Sequence, residues 1–161
     1  MLLAVGLIIF AFESYLPRPL PWIKPGLSNV VGVLALYWFG FPAAVLITFL
    51  RIFLGALFLG TLFNPVFLLS LGGGLAAILA MGIVFRSGKK YFSPIGISVV
   101  GAFFHMLTQL VLATLILIHR LELLQFLPFM LFSAVIAGVV VGLLARILIE
   151  KLQFIAQPEA T

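Results

Sequence analysis

Apolar residues run with little interruption through 1–16, 27–39, 42–62, 65–85, 94–118 and 129–150, and short clusters of proline, glycine and charge separate these segments. The first break is PRPLPWIKPG. Its prolines fix φ and lack a backbone donor, so this loop is expected to be stiff and non-helical. FGFP, FNP, RSGKKYFSP and HRLELLQFLP make the other breaks. About twenty residues span a bilayer's hydrocarbon. The pattern therefore predicts an all-α, polytopic membrane protein of six transmembrane helices, with 1–161 forming a single integral membrane domain. Segment 27–39 is short at thirteen residues. It is expected to be half-spanning, strongly packed, or extended into the loop before it.

Composition agrees. Of the 161 residues 65% are hydrophobic and 8% charged, and mean hydropathy is +1.37; a soluble domain carries roughly a quarter charged residues. The start of the chain lacks a basic region and a small-residue cleavage site, and reads as a retained helix rather than a signal peptide. Net charge is +5, but the basic residues sit at segment ends rather than in runs, so nucleic acid is not an expected partner and membrane lipid is. Arg86, Lys89, Lys90, Arg146 and Lys151 fall on one side, and Arg18, Lys24 and Arg120 on the other, which puts the termini in the cytoplasm of a cell membrane, expected to be a bacterial inner membrane. Small residues recur at helical spacing, Gly72, Ala76 and Ala80 in one segment and Ala134, Gly138 and Gly142 in another. In lipid such stripes let helix backbones approach closely, within the bundle or against another subunit. The glycines at 72–74 make no phosphate loop, because Gly-x4-Gly-Lys-Ser/Thr is missing. The chain has no cysteine and no aspartate. No cofactor and no metal are expected.

The polar residues left inside the apolar segments are few, and that scarcity makes each informative. Glu13 closes the first segment and Asn29 opens the second. Thr48, Arg51 and Gly55 share a face of the third, and Asn64 ends it. His105, Thr108 and Gln109 share a face of the fifth. A guanidinium near mid-membrane costs about 2.5–3.5 kcal/mol on insertion scales, so it should face a polar pocket rather than lipid. The candidate substrate-binding set is Glu13, Lys24, Asn29, Arg51, Asn64, His105 and Gln109, converging on a cavity open to the outer side and roofed by 17–26, with Gly55 leaving room for a guest. Blander roles stand beside these. Arg51 could be a structural cation held by Glu13, His105 a packed core histidine, and Gln109 a tie between helices. Asn29 and Asn64 could be helix caps or turn residues. Trp22, Tyr37 and Trp38 suit interfacial anchoring, and Trp22 could also stack on a ligand.

PWIKPGLSNVVGVLALYWFG, LRIFLGALFLGTLFNPVFLLSLGGG and GAFFHMLTQLVLATLIL resemble the Gx transporter family, also described as heptaprenyl diphosphate synthase component I. The resemblance runs over about 12–145. Its most specific pieces are Lys24-Pro25-Gly26 through Asn29, Arg51 with Gly55, GTLFNP at 60–65, and His105 with Gln109. That family is similar to the S components of energy-coupling-factor (ECF) transporters. The resemblance implies an S-component-like fold of six helices with a small molecule bound near the outer face. It also implies a separate transmembrane coupling subunit and ATPases as partners. Two positions depart from the pattern: Met106 stands where the family usually has asparagine, and Ala4 is followed by Ile8 where S components carry an Ala-xxx-Ala stripe.

A substrate-binding membrane subunit follows, for uptake of a small amphipathic molecule such as a vitamin, quinone precursor or isoprenoid-type compound, its anionic or strongly accepting head against Arg51 and Lys24. The alternative is a non-catalytic membrane partner of polyprenyl diphosphate or quinone synthesis. Catalysis is not expected: prenyl transfer uses Mg²⁺ held by clustered carboxylates, and the glutamates at 13, 122, 150 and 159 are scattered. A purely structural subunit would show a close Arg51–Glu13 ion pair and no cavity.

Overall fold

A computed structural model describes residues 1–15, 26–88, 92–118 and 121–156. These residues form six α-helices: α1 (Leu2–Tyr15), α2 (Val30–Phe39), α3 (Phe41–Phe58), α4 (Pro65–Gly88), α5 (Pro94–Leu112) and α6 (Leu127–Ala156). A 3-10 turn, Leu27–Asn29, leads into α2, α5 continues into a π-helical turn at Ala113–Ile118, and a 3-10 stretch, Leu121–Phe126, leads into α6. The protein is an all-α membrane protein, as the apolar runs predict.

The boundaries follow local chemistry. Helix α3 ends at Phe58, short of the expected 62, because Gly60 takes a left-handed conformation (φ 65°) and closes the helix. The Gly60 N–H donates to the Leu57 carbonyl and the Thr61 N–H to the Ala56 carbonyl, satisfying carbonyls the helix end would orphan. Helix α4 begins with proline, and Asn64 Oδ1 accepts from the Val66 N–H at 3.0 Å, so the cap reading of Asn64 describes what it does. Ser93 caps α5 in the same way, accepting from the Gly96 N–H at 3.3 Å, with Pro94 next in line.

Among the described residues four helical stretches are long and apolar enough to cross a membrane: Phe41–Phe58, Pro65–Gly88, Pro94–Ile116 and Leu124–Lys151. The other two helices are shorter, 14 residues in α1 and 10 in α2, or about 21 and 15 Å of rise. Of the three options for 27–39, strong packing is the one found: every residue from Val30 to Leu36 is buried. Helix α2 is the centre of the main apolar core, with Ala44, Ala77, Ile78, Met81, Ile97 and Val141 around it. A helix apolar on all sides and ringed by others has no face left for lipid.

The longer helices each bury one stripe. On α3 it is Ala44, Thr48, Arg51, Ile52, Gly55 and Ala56, while Leu46, Phe49, Leu57 and Phe58 on the other side are exposed, as a lipid-facing surface requires. On α6 it is Met130, Ala134, Val141, Ala145 and Ile149, and Gly138 and Gly142 on that same face pack backbone to backbone with α5. A Cβ on Gly138 would stand 2.7 Å from Val99 Cα, and one on Gly142 2.5 Å from Ile95 Cα. This small-residue stripe serves packing within the bundle. On α4 the inward glycines and alanines include Gly73, Gly74, Ala77, Ala80 and Gly82, shifted from the expected Gly72–Ala76–Ala80 row, in which Gly72 and Ala76 are half-buried. Tyr37 is half-buried and meets the Phe85 ring edge-on, centroids 5.0 Å apart.

Candidate functional site

Glu13 is 1% exposed near the end of α1, on the face that also buries Gly6 and Phe10. Its Oε1 accepts from the backbone N–H of Gly26 and, at 3.2 Å, from that of Leu27; its Oε2 accepts from the Ser28 N–H at 3.3 Å. These are the orphan donors of the helical turn that opens into α2, and a carboxylate there is also favoured by the helix dipole. The cap is supplied from another helix. Asn29 makes no capping bond of its own; its Oδ1 instead accepts from Arg51 Nη2 at 2.9 Å. The turn 26–29 is thus clamped between a carboxylate and a guanidinium. Gly26 allows the bend with φ 77°, and a Cβ there would stand 3.1 Å from Asn29 Nδ2.

Arg51 is 2% exposed, so its charge is turned away from lipid. Its aliphatic stem crosses α1 at Gly6, where a Cβ would stand 3.1 Å from Arg51 Cδ. The close Arg51–Glu13 ion pair of the structural reading is not formed: each side chain bonds the 26–29 turn instead, and Glu13 acts on Arg51 through space, across the turn.

Helix α5 brings His105 and Gln109 to the same end of the bundle, 9% and 1% exposed. They lie across α4 at Gly73, where a Cβ would stand 2.9 Å from Gln109 Cγ and 3.0 Å from His105 Nδ1. Glycine there is what admits two long polar side chains between packed helices. Thr108, on the same face in the sequence pattern, is half-buried and rests near Gly72.

Glu13, Asn29, Arg51, Ser70, His105 and Gln109 line one chamber, closed on its apolar side by Phe10 and Ile52. Its free volume is about 20 Å³, room for about one water molecule. A second chamber, also about 20 Å³, shares Gly26, Asn29 and His105 with the first and continues between α4, α5 and α6 along Met81, Gly101, Met106 and Ala134. Met106 makes this second wall apolar. Three buried atoms in the neighbourhood have no hydrogen-bond partner: Thr48 Oγ1, Arg51 Nε and Gln109 Oε1. Leaving such a group unsatisfied costs about 1–3 kcal/mol.

Five of the sequence-predicted residues, Glu13, Asn29, Arg51, His105 and Gln109, come together here. Asn64 does not. It is exposed at the start of α4, beside a separate apolar recess lined by Phe53, Leu62 and Phe67. Lys24 and Trp22 lie outside the described residues. The expected space over Gly55 is filled by the α1 helix: a Cβ on Gly55 would stand 2.4 Å from Phe10 Cδ1, so this glycine seats an aromatic ring and leaves no room for a guest. Sequence reasoning missed Ser70, whose single hydroxyl is inconspicuous in an apolar run, and Gly73, masked by its neighbours in a glycine triplet. It also missed the donors on Glu13, which are backbone groups that no residue type signals. Among the described residues no group of three or more His, Cys, Asp or Glu is placed to hold a metal ion.

A family model described as heptaprenyl diphosphate synthase component I matches residues 2–148. No curated protein and no solved structure matches the chain.

Proposed function

The chain belongs to the heptaprenyl diphosphate synthase component I family, and we propose that within it this protein is a non-enzymatic membrane subunit that captures a small amphipathic molecule between α1, the 26–29 turn, α3, α4 and α5. The observation that carries the reading is the convergence of Glu13, Asn29, Arg51, His105 and Gln109 on one chamber inside an otherwise apolar bundle. Buried ionisable groups in a membrane protein are costly and mark ligand or ion paths by default, and unpartnered buried atoms on Arg51 and Gln109 leave hydrogen-bonding capacity to offer. Admitting a guest larger than water requires the Arg51–Asn29 contact to open.

In this reading the termini are cytoplasmic, the chamber faces the outer leaflet of a bacterial inner membrane, and uptake runs through a separate coupling subunit and its ATPases, since the chain carries no nucleotide loop. The family description favours a second reading, a binding partner for a synthase of polyprenyl diphosphates. Both place the guest in the same chamber and differ in who receives it. Native mass spectrometry of detergent-purified protein tests the shared step. A retained small molecule present in wild type and lost in Gln109→Leu is expected; identical spectra for the two proteins sink the capture reading.

A further inference from the structure

The chamber's charge, size and unused hydrogen-bonding atoms restrict what head group it accepts. Resting on the capture reading above, we propose that the guest presents a single neutral hydroxyl to Arg51 and Gln109, not a phosphate or carboxylate, and that its apolar body lies along Met81 and Met106.

Charge comes first. Glu13 and Arg51 are the Asp, Glu, Lys or Arg side chains that are buried among the described residues, and their charges sum to zero across the 26–29 turn. An anionic head adds a buried charge that no further buried Lys or Arg among the described residues balances, and burial of an unpaired charge is far costlier than burial of a hydrogen-bonded hydroxyl. Size agrees. A free volume of about 20 Å³ accepts one oxygen in place of one water, whereas a diphosphate needs the chamber rebuilt. The unused atoms are complementary as well: Arg51 Nε is a donor and Gln109 Oε1 an acceptor, and a hydroxyl accepts from the first while donating to the second. The adjoining chamber supplies the apolar half. Met81, Met106 and Ala134 line it; its free volume is also about 20 Å³, so a tail enters by displacing the two methionine side chains, which re-pack at low cost around a new shape.

The experiment uses head-group variants on a fixed tail, because the family description suggests an isoprenoid tail. Geraniol and farnesol, their methyl ethers and their diphosphates are titrated into the purified full-length protein in detergent by calorimetry, with Gln109→Leu in parallel. The expected order is alcohol tightest on at least one tail. The methyl ether, which cannot donate to Gln109, should bind about tenfold or more weaker, and the alcohol's advantage should vanish in Gln109→Leu. Glu13→Gln leaves a net positive chamber and should move preference toward the diphosphate. A diphosphate that outcompetes the alcohol on wild type, with Gln109→Leu weakening it, overturns the neutral-head inference and leaves capture standing. Binding of no probe, or equal binding by wild type and Gln109→Leu, removes both, and the chamber then holds water only.

Discussion

Replacing Glu13 by Gln and Arg51 by Met, singly and together, tests whether the two charges form one unit although they do not touch. In the native protein the carboxylate accepts from the backbone N–H groups of Gly26, Leu27 and Ser28, while the guanidinium donates to the Asn29 side chain. Glu13→Gln keeps one acceptor oxygen but turns an NH₂ toward a backbone donor, and leaves Arg51 as a buried cation without its counter-charge. Removing one member of a buried pair costs about 3–5 kcal/mol. Arg51→Met leaves the carboxylate with its backbone donors, so its cost should fall at or below the lower end of that range. Two unit charges 4 Å apart interact by about 4 kcal/mol at an effective dielectric of 20. Here the turn separates them, so a coupling of about 2 kcal/mol is expected. Reversible unfolding in mixed dodecylsulfate micelles, followed by circular dichroism, gives the four stabilities of the cycle. If the double variant loses the sum of the single losses to within about 0.5 kcal/mol, the through-space unit does not exist and the clamp is two unrelated sets of bonds.

Other outcomes follow from the packing. Gly142→Ala should destabilise by about 1–3 kcal/mol, because its Cβ meets the Ile95 backbone, whereas Gly72→Ala should cost less, because its obstacle is the movable end of Leu112; the same micellar titration ranks them. Gly60→Ala meets no neighbour within 4 Å and should still cost about 1–2 kcal/mol, since φ 65° disfavours a Cβ. Ser93→Ala removes the cap of α5 and should lower stability by about 1 kcal/mol. Glu150→Gln breaks an exposed ion pair and should leave the unfolding midpoint unchanged; a clear drop would mean that this surface is covered by something other than lipid.

How far the site was legible depended on the kind of signal. Arg51, His105 and Gln109 stood out because a polar residue in an apolar run is rare and expensive. Their shared depth followed from counting along two helices that rise in the same direction. Gly55 misled because a glycine beside an arginine reads as space, and whether that notch is filled depends on where Phe10 of another helix falls. Asn64 misled in the other direction: its side chain found a donor two residues away, which ended its availability for anything distant. Asn29 looked like a cap, and the cap arrived from Glu13, thirteen to fifteen positions earlier in the chain.

The amino-acid order alone determined the solvent class, the six apolar helices and their punctuation by proline, glycine and serine, because each depends on composition or on neighbours within a few residues. It also determined which side chains were too polar for lipid. Only the tertiary structure decided what those side chains face. The meeting of Glu13 with three backbone amides, the bond of Arg51 to Asn29 and the seating of Gln109 on Gly73 depend on helix positions and rotations set by packing. Helical periodicity encodes which residues share a face, and only contact between helices says what that face meets.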